Sequence, residues 1–338
     1  MEHKTNYSLK KLNTFGIDVK ARYFAEFTSI NELVHLLKDI SFISEEKLVL
    51  GGGSNILFTK NFDGLVMQNK VKGKEIIWED ENEALVKAGA GEVWHEFVLF
   101  CIGKNLGGIE NLSLIPGTVG AAPIQNIGAY GVEVKDTFES LEAIETHTGH
   151  LKIFSSKECE FGYRDSVFKR HLKGKYIITS VTLRLTKKPV FNTSYGAIQS
   201  TIKELDIKEI SLKTISDAVS YIRKNKLPDP AVIGNAGSFF KNPEISEKQF
   251  VQLQSMYPDI PSFKASPGMV KVPAGWLNEQ CGWKGKVVGQ TGVHKNQALV
   301  LVNHGNAQGD EVKNLAAAIQ RSVKEKFGID LEMEVNII

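Results

Sequence analysis

Three glycine-rich segments carry most of the side chains that could do chemistry. The first covers residues 50–58 and contains three consecutive glycines followed by Ser54 and Asn55. Consecutive glycines let the backbone turn tightly and bring its N–H groups close to an anion, and the two polar side chains add further donors. This spacing is found in phosphate-binding loops, but it also suits a plain turn between two strands.

The second segment, residues 107–131, combines glycines, prolines and small residues with the amide side chains of Gln125 and Asn126. Long irregular segments in compact domains are usually functional. Small side chains allow a flat, bulky ligand to approach the backbone, and amides can form hydrogen bonds with the edge of a ring. The apolar residues of the segment favour burial against a ligand or the core over a mobile surface loop.

The third segment, residues 235–243, places Ser238 between Gly237 and Phe239. A serine in an apolar niche can act as a nucleophile, as an acid or as a helix cap. Phe240 stands where the second glycine of a G-x-S-x-G nucleophile elbow would lie. Taken alone, the segment therefore favours a capping or turn role for Ser238 over catalysis.

Other common signatures do not occur in the sequence. It contains no P-loop, no G-x-G-x-x-G dinucleotide fingerprint and no HExxH zinc motif. His147 and His150 lie in a predicted hairpin turn, where solvated side chains are more common than metal ligands. The sequence thus predicts no metal site.

The composition is that of an ordinary globular protein. The 338 residues are 42% hydrophobic and 24% charged, and 41 basic against 39 acidic residues give a net charge of +2. The length predicts two or three domains, and the small net charge argues against a nucleic-acid or membrane-surface role. Three widely spaced cysteines, a polar N-terminus without a signal peptide and the lack of a long apolar run predict a cytoplasmic protein without a membrane span.

The hydrophobic pattern predicts alternating strands and helices that would hold these segments in place. We expect helices at residues 31–40, 93–103, 215–225, 248–257 and 309–327. We expect strands at residues 48–50, 56–58, 65–67, 84–88, 141–146, 151–154, 176–185, 298–303 and 331–338. Residues 187–196 are predicted to form a linker or flap, and the best candidate for a domain boundary is near residues 190–210.

Seven short motifs occur in an order that resembles the UDP-N-acetylenolpyruvoylglucosamine reductase family, also called the MurB family. They are Asn13-Thr-Phe15, Gly51-Gly-Gly-Ser-Asn55, Ile115-Pro-Gly-Thr-Val-Gly120, Pro123-Ile-Gln-Asn-Ile-Gly-Ala-Tyr-Gly131, Tyr163-Arg-Asp-Ser166, Gly234-Asn-Ala-Gly-Ser-Phe-Phe-Lys-Asn-Pro243 and Pro273-Ala-Gly-Trp-Leu-Asn-Glu-Gln-Cys-Gly282. Each motif alone is weakly specific, whereas seven in order are highly specific. Tyr195, in Ser-Tyr-Gly, resembles the branch of the family that has a tyrosine-bearing flap.

The resemblance implies an α+β fold, in which a two-subdomain FAD-binding fold of the vanillyl-alcohol-oxidase type is followed by an α+β substrate-binding domain. The implied bounds are 1–70 for FAD-binding subdomain 1, 71–200 for FAD-binding subdomain 2 and 201–338 for the substrate-binding domain. The C-terminal strand would return Glu334 to the active site.

The resemblance also implies a flavoenzyme of bacterial peptidoglycan synthesis. NADPH would reduce bound FAD, and the reduced flavin would convert the enolpyruvyl ether of a UDP-sugar to the lactyl ether of UDP-N-acetylmuramate. Residues 51–55 would lie at the pyrophosphate of FAD. The implied FAD-binding residues are Gly51, Gly52, Gly53, Ser54, Asn55, Pro116, Gly117, Gly120, Ala121, Gln125, Asn126, Gly128 and Tyr130.

Three catalytic residues follow from the same resemblance. Hydride would pass from flavin N5 to the enolpyruvyl methylene carbon, and Arg164 would bind the carboxylate on the neighbouring carbon. Ser238 would protonate that carbon, and Glu334 would polarise the carboxyl group. Glu332 lies two residues from Glu334 on the same face of the predicted strand, so this role could belong to either. The implied substrate-binding residues are Tyr195, Lys226, Asn242, Lys284 and Gln297.

Two other functions remain open at this point. A different FAD-dependent oxidoreductase of the same scaffold, such as an oxidase of small alcohols, often tethers its flavin through His or Cys, and no such residue is apparent in the flavin segments. An inactive binding protein would be expected to lack one of the three catalytic residues. Since no second dinucleotide motif occurs, we expect NADPH and the UDP-sugar to share one cleft, in a monomer that binds neither nucleic acid nor membranes.

Overall fold

The computed structural model describes residues 2–338, which form two compact units. Unit one consists of the described residues up to Tyr7, together with Ala21–Gly53 and Phe62–Asn225. Unit two consists of Ser8–Lys20, Ser54–Asn61 and Lys226–Ile338. Two short N-terminal segments therefore belong with the C-terminal part of the chain.

Strands and helices alternate along the described chain, as the hydrophobic pattern predicts. In chain order the elements up to residue 226 are β1 (Lys4–Ser8), β2 (Lys20–Phe27), α1 (Ile30–Lys38), β3 (Glu46–Leu50), β4 (Ile56–Leu57), β5 (Phe62–Asn69), β6 (Lys74–Glu79), β7 (Glu83–Gly89), α2 (Trp94–Gly103), β8 (Gly128–Ala129), β9 (Val132–Glu133), β10 (Phe138–Glu145), β11 (Leu151–Ser155), α3 (Ser156–Cys159), β12 (Tyr176–Thr186), α4 (Gly196–Glu204) and α5 (Leu212–Lys226). The later elements are β13 (Gly234–Ser238), β14 (Glu244–Ser246), α6 (Glu247–Met256), β15 (Phe263–Lys264), β16 (Met269–Lys271), α7 (Ala274–Gln280), β17 (Val287–Val288), β18 (Thr291–Val293), β19 (Val300–Asn303), α8 (Gly309–Phe327) and β20 (Asn336–Ile337).

Unit one is built on two β-sheets. The four-stranded sheet has the order β1-β2-β5-β3, with β5 parallel to both β2 and β3. The five-stranded sheet has the order β11-β10-β12-β7-β6, and its paired strands are antiparallel. Leu33 of α1, Met67 of the first sheet and Ile144 of the second belong to one buried cluster, so the two sheets share a core. The division of this unit into FAD-binding subdomains at residues 1–70 and 71–200 stays a prediction, as does the substrate-binding domain at 201–338.

The second core of unit one lies between the five-stranded sheet and α2. Val86 and Val181 of the sheet are buried together with Phe97 of α2. Ile109 and Leu112, from the irregular segment at residues 107–131, are fully buried in the same cluster. The prediction that this segment is buried is therefore confirmed, because its apolar side chains are part of the core.

Unit two is built on the antiparallel sheet β13-β19-β18-β17 and on α8. Val312, Ile319 and Val323 of α8 recur at helical spacing and are buried, which confirms the predicted helix at residues 309–327. Gly328, with a φ of +66°, ends this helix in the left-handed conformation that glycine adopts most easily. Two smaller sheets complete the unit, with the strand orders β14-β16-β15 and β20-β4.

The predicted C-terminal strand at residues 331–338 is wrong in its extent. The only part of it that forms a strand is β20, which pairs in parallel with β4. Before β20, Met333 makes an isolated antiparallel bridge with Phe240. Because the segment changes its partner between these two contacts, a continuous ladder does not form.

Helix α4 is not predicted by the hydrophobic pattern; it begins at Gly196, the last residue of the predicted flap at residues 187–196. Its buried face consists of Ile198 and Thr201. One apolar and one polar residue are too few to produce a recognisable helical stripe.

Gly309 is the first residue of α8, and a Cβ built on it would overlap the main-chain oxygen of Phe58. Because a backbone atom cannot move aside cheaply, we expect Gly309→Ala to lower the free energy of unfolding by about 2 kcal/mol. Gly196, the first residue of α4, provides the matched control, since a Cβ there meets no atom within 4 Å. Urea unfolding followed by circular dichroism measures both variants. Equal stability of the two would contradict the close approach of Phe58 to α8.

Candidate active site

Ser238 is the last residue of β13 and is positioned by a β-bulge. β13 pairs with β19 through Asn235 opposite Val302 and through Ser238 opposite Val300, with a register shift between the two pairs. Gly237 adopts a φ of +70°, and its N–H donates to Asn235 Oδ1 at 3.0 Å. A bulge of this kind changes the direction in which the next side chain points. The helix-cap interpretation of Ser238 is therefore wrong, because the residue ends a strand.

The two phenylalanines after Ser238 fix its backbone. Phe239 and Phe240 are buried, and their ring centroids lie 5.4 Å apart in an edge-to-face arrangement. The Phe239 N–H donates to the carbonyl oxygen of Leu299 at 2.8 Å. Ser238 itself is half-buried, so its hydroxyl sits on a backbone that close packing immobilises.

Glu334 lies beside this backbone within unit two. Its N–H donates to the carbonyl oxygen of Phe239 at 2.8 Å, and the side-chain amide of Asn55 donates to the carbonyl oxygen of Glu334 at 3.3 Å. The main chain of Glu334 is thus held by two partners, one of which is the residue next to Ser238. The structure therefore brings together two of the three predicted catalytic residues at the level of their backbones.

Glu332 has a different environment from Glu334. Its carboxylate lies 2.6 Å from Lys241 Nζ, and its side chain is 70% exposed. The Lys241 N–H also donates to the carbonyl oxygen of Glu332 at 2.9 Å. Because the largely buried Lys241 already binds this carboxylate, the structure favours Glu334 over Glu332 as the residue that would meet a ligand.

Arg164, the third predicted catalytic residue, lies in unit one and has a φ of +52°. This left-handed conformation is uncommon for a residue with a side chain, and such outliers cluster at functional sites. The guanidinium donates to the main-chain oxygen of Gly128 and, at 3.5 Å, to that of Asn126. A Cβ at Gly128 would lie 3.0 Å from Arg164 Nη1, so the glycine lets the guanidinium rest directly on the backbone.

Asn126 is fully buried, and its side chain holds the surrounding loops together. Its Nδ2 donates to Glu133 Oε2 and to the carbonyl oxygen of Gly162, both at 3.0 Å. Its Oδ1 accepts the N–H of Lys135 at 3.0 Å. Both amide donors are therefore used within the protein.

Two of the predicted FAD-binding segments pack against each other in unit one. A Cβ at Gly51 would overlap Thr118 Oγ1, and a Cβ at Gly52 would lie 3.1 Å from the Cα of Gly117. The two backbones thus approach as closely as glycine allows, which is typical of loops whose N–H groups bind a diphosphate. By this test the residues present fit FAD.

Two tyrosines and a second arginine form a chain of contacts in unit one, and the second arginine lies within range of the charge of Arg164. The rings of Tyr130 and Tyr195 meet edge to face with their centroids 5.5 Å apart. Arg223, on α5, donates from Nε to the carbonyl oxygen of Leu114 at 3.2 Å and forms a hydrogen bond with Tyr130. Burial lowers the pKa of Arg223; Tyr130 opposes this shift, and the charge of Arg164 adds to it. Two neighbouring cations in a partly desolvated region favour an anionic ligand.

Arg223 is a candidate functional residue that the sequence analysis does not identify. It continues the series Ile215 and Val219, which are buried at a spacing of four residues on α5. The pattern calls for an apolar residue at this position. A charged residue in line with an apolar stripe is the signal by which Arg223 could be found.

Two predicted substrate-binding side chains meet the first turn of α7 in unit two. Asn242 Oδ1 accepts the N–H of Ala274 at 2.9 Å, and Gln297 Oε1 lies 3.1 Å from the position of a Cβ on Gly275. Lys284 follows α7 and forms an ion pair at 2.9 Å with a glutamate of that helix. The structure thus groups three of the five predicted substrate-binding residues around α7. Tyr195 belongs to unit one.

The remaining predicted binding residues occupy loop positions or helix ends. Gly53 and Gly120 are buried. The others are half-buried or exposed, and they are Ser54, Pro116, Ala121, Gln125 and Lys226.

Two further properties concern residues 2–338 as a whole. His147 and His150 are exposed, and this range contains no group of three or more His, Cys, Asp or Glu side chains that could hold a metal ion. In the same range, no helix has the length and apolar character that a membrane crossing requires.

The matching protein families agree with this arrangement. Residues 21–155 match the FAD binding domain family, and residues 229–338 match the C-terminal domain of UDP-N-acetylenolpyruvoylglucosamine reductase. Together with the fold, these matches define an FAD-binding oxidoreductase. They confirm the predicted α+β class with an FAD-binding fold of the vanillyl-alcohol-oxidase type.

Similarity to individual proteins extends over the full chain. It is 52% identical over 339 residues to UDP-N-acetylenolpyruvoylglucosamine reductase of Flavobacterium johnsoniae, and 55% identical over 338 residues to that of Amoebophilus asiaticus, with 100% of both chains covered in each case. The crystal structure of the reductase from Thermus caldophilus matches with a TM-score of 0.69 at 25% identity and covers 99% of this chain and 98% of that one. The chain belongs to the UDP-N-acetylenolpyruvoylglucosamine reductase family.

The packing of Gly51 against Thr118 leads to a prediction about FAD. Gly51→Ala should weaken FAD binding about tenfold, because the added methyl group forces the two segments apart. Adding Thr118→Ala should restore binding, because the next atom of that side chain, Cβ, lies 3.5 Å from the new methyl group. The ratio of flavin to protein absorbance after dialysis measures both effects. A double variant that loses as much FAD as Gly51→Ala alone would show that this contact does not set the affinity.

Proposed function

We propose that this protein reduces UDP-N-acetylenolpyruvoylglucosamine to UDP-N-acetylmuramate, a step of peptidoglycan precursor synthesis, with FAD as cofactor and NADPH as reductant. Identity of 52% and 55% to full-length reductases supports the reaction. The observation that carries the site is the hydrogen bond from Glu334 to Phe239, the residue next to Ser238. Bound FAD would supply the hydride-transfer chemistry that connects NADPH to the enolpyruvyl methylene carbon.

Arg164 is proposed to bind the substrate carboxylate. Addition of hydride to the methylene carbon places negative charge on the neighbouring carbon and its carboxylate, and a fixed cation stabilises that charge. A guanidinium suits this role because its planar fork binds a carboxylate through two hydrogen bonds. The bonds from Arg164 to the main-chain oxygens of Asn126 and Gly128 support the assignment, since they orient the guanidinium before substrate binds.

Ser238 is proposed to protonate the carbon next to the carboxylate. A hydroxyl is a weak acid, but a carbanion-like carbon is basic enough to take its proton when the geometry is fixed. The bulge at Gly237 and the buried rings of Phe239 and Phe240 support this role, because they leave the serine backbone little freedom.

Glu334 is proposed to polarise the substrate carboxyl group, and for this it would be protonated. Its main chain bonds to Phe239 and to Asn55, which supports a fixed position beside Ser238. Glu332 is not assigned a role, because its carboxylate binds Lys241 at the surface.

The nucleotide part of the substrate is proposed to bind side chains other than Arg164, Ser238 and Glu334. NADPH and the UDP-sugar would bind in turn to the same site, as the lack of a second dinucleotide motif suggests. We further propose a cytoplasmic monomer that acts on small molecules only. The proposed substrate-binding residues are Tyr195, Lys226, Asn242, Lys284 and Gln297.

Ser238→Ala should separate the two half-reactions. NADPH should bleach the flavin of this variant at the wild-type rate, because reduction of FAD needs no proton from Ser238. Recolouring by UDP-N-acetylenolpyruvoylglucosamine should slow about 1000-fold, the usual contribution of a positioned general acid. Anaerobic stopped-flow absorbance follows both steps. Wild-type protein that recolours only with oxygen would refute the proposed reaction, and fast recolouring of the variant would assign the proton to another group.

The two glutamates near the C-terminus provide a matched pair. Glu334→Gln should slow recolouring about 100-fold, since an amide cannot act as the acid that the carboxyl group provides. Glu332→Gln should recolour at the wild-type rate and lose only the surface ion pair with Lys241, which contributes at most about 1 kcal/mol to stability. Single-turnover rates of the two variants decide between them. The reverse ranking would move the role to Glu332.

A further inference from the structure

The flap, residues 187–196, docks on the irregular segment of unit one through Asn192. The Asn192 side-chain amide donates to the carbonyl oxygen of Gly131 at 3.3 Å, and Asn192 Oδ1 accepts the hydroxyl of Ser194 at 2.8 Å. Close to this contact, the ring of Tyr195 meets the ring of Tyr130 edge to face. The flap tyrosine therefore rests on the turn that contains Tyr130 and Gly131.

A single buried side chain joins the two halves of this contact. Asn111 is fully buried, and its Nδ2 donates to the carbonyl oxygen of Tyr130 at 3.0 Å and to that of Asn192 at 2.9 Å. An amide nitrogen carries two hydrogens, so these two bonds use its whole donor capacity. One side chain thus holds the main chain of the Tyr130 turn and the main chain of the flap.

The other polar atom of the same side chain is not satisfied. Asn111 Oδ1 is buried and has no hydrogen-bond partner among the described residues. Leaving a buried acceptor unpaired is unfavourable, and a leucine of similar volume would avoid this. The core position of Asn111 is therefore explained by its two donors and not by its own packing.

The residues that Asn111 holds are in constrained positions. Tyr130 has a φ of +50°, a left-handed conformation that a non-glycine residue keeps only when its surroundings enforce it. Tyr130 and Phe191, one from the turn and one from the flap, both pack against the cluster of Ile198, Ile215 and Val219. Without the two bonds from Asn111, this packing and the single bond from Asn192 to Gly131 would have to keep Tyr195 in register with Tyr130.

We propose that Asn111 is a positioning residue that sets the place of the flap tyrosine, Tyr195, by tying the flap to the Tyr130 turn. The inference rests on the proposed function, in which Tyr195 contacts the UDP-sugar. It assigns Asn111 no contact with substrate or FAD.

The test compares Asn111→Asp with Asn69→Asp. Aspartate keeps the shape of asparagine and removes the donors. Asn69 is the matched control, because it is a buried amide of unit one that donates to the carbonyl oxygen of Ile178 at 2.9 Å, away from the flap. We expect Asn111→Asp to raise the KM for UDP-N-acetylenolpyruvoylglucosamine about tenfold with kcat changed less than about threefold. Asn69→Asp should leave this KM within about twofold of wild type, even if its Tm falls.

A double-mutant cycle with Tyr195→Phe separates positioning from general damage. If Asn111 acts through the Tyr195 hydroxyl, Asn111→Asp should raise the KM less than about twofold once that hydroxyl is gone. Asn192→Ala removes the bond from the flap to Gly131. It should also raise the KM, by less than Asn111→Asp does, and this rise should likewise shrink once the Tyr195 hydroxyl is gone. Because Asn192 is only half-buried, the Asn192→Ala variant keeps the test possible if Asn111→Asp does not fold.

The outcomes distinguish this inference from the proposed function. Wild-type protein that does not turn over the UDP-sugar would remove the proposed function and this inference with it. Active wild-type protein in which the Asn111→Asp and Tyr195→Phe effects simply multiply would overturn the role of Asn111 alone. So would an equal rise in KM for Asn69→Asp.

Discussion

The hydrogen bond between the Glu334 N–H and the Phe239 carbonyl oxygen ties the end of the chain to the residue that follows Ser238. The proposed protonation by Ser238 and polarisation by Glu334 depend on this bond, because it fixes the main chain of Glu334 beside the residue that follows Ser238. The bond is supported from two directions: the buried phenylalanines hold the Ser238 strand, while Asn55 holds the carbonyl group of Glu334 and β4 pairs with the residues that follow it. A local change in either support would therefore displace Ser238 or Glu334.

Unit one relies on polar side chains that donate to main-chain oxygens. Arg164 rests on the carbonyl groups of Asn126 and Gly128, and Asn111 holds those of Tyr130 and Asn192. Carbonyl oxygens in a packed loop cannot move independently, so they orient a donor more strictly than a mobile side chain would. The irregular segment at residues 107–131 can therefore be a precise scaffold although little of it is helix or strand.

Features that depend on nearby residues are the ones that the sequence predicts well. The helix at residues 309–327 follows from the spacing of Val312, Ile319 and Val323 and from Gly328 at its end. The predicted extent of the C-terminal strand is wrong because the partners of this segment, Phe240 and β4, are far away in the sequence. No local pattern indicates where the segment changes from one partner to the other.

The same distinction holds for the candidate site. The family resemblance supplies the identities of Ser238 and Glu334, but their placement depends on a bulge and on a long-range bond that no motif encodes. Arg223 interrupts an apolar stripe and so leaves a trace in the sequence. Asn111 leaves none, since an asparagine in a loop is ordinary until its burial and its two acceptors are known.

The most direct test of the account is a crystal structure of the oxidised, FAD-loaded protein with UDP-N-acetylenolpyruvoylglucosamine bound, a state in which no hydride is available and the substrate stays intact. The account predicts that the Ser238 hydroxyl and the Glu334 carboxyl group both contact the enolpyruvyl group, with the bond from Glu334 to Phe239 preserved. An enolpyruvyl group that lies away from Ser238, or that contacts Glu332 in place of Glu334, would contradict it.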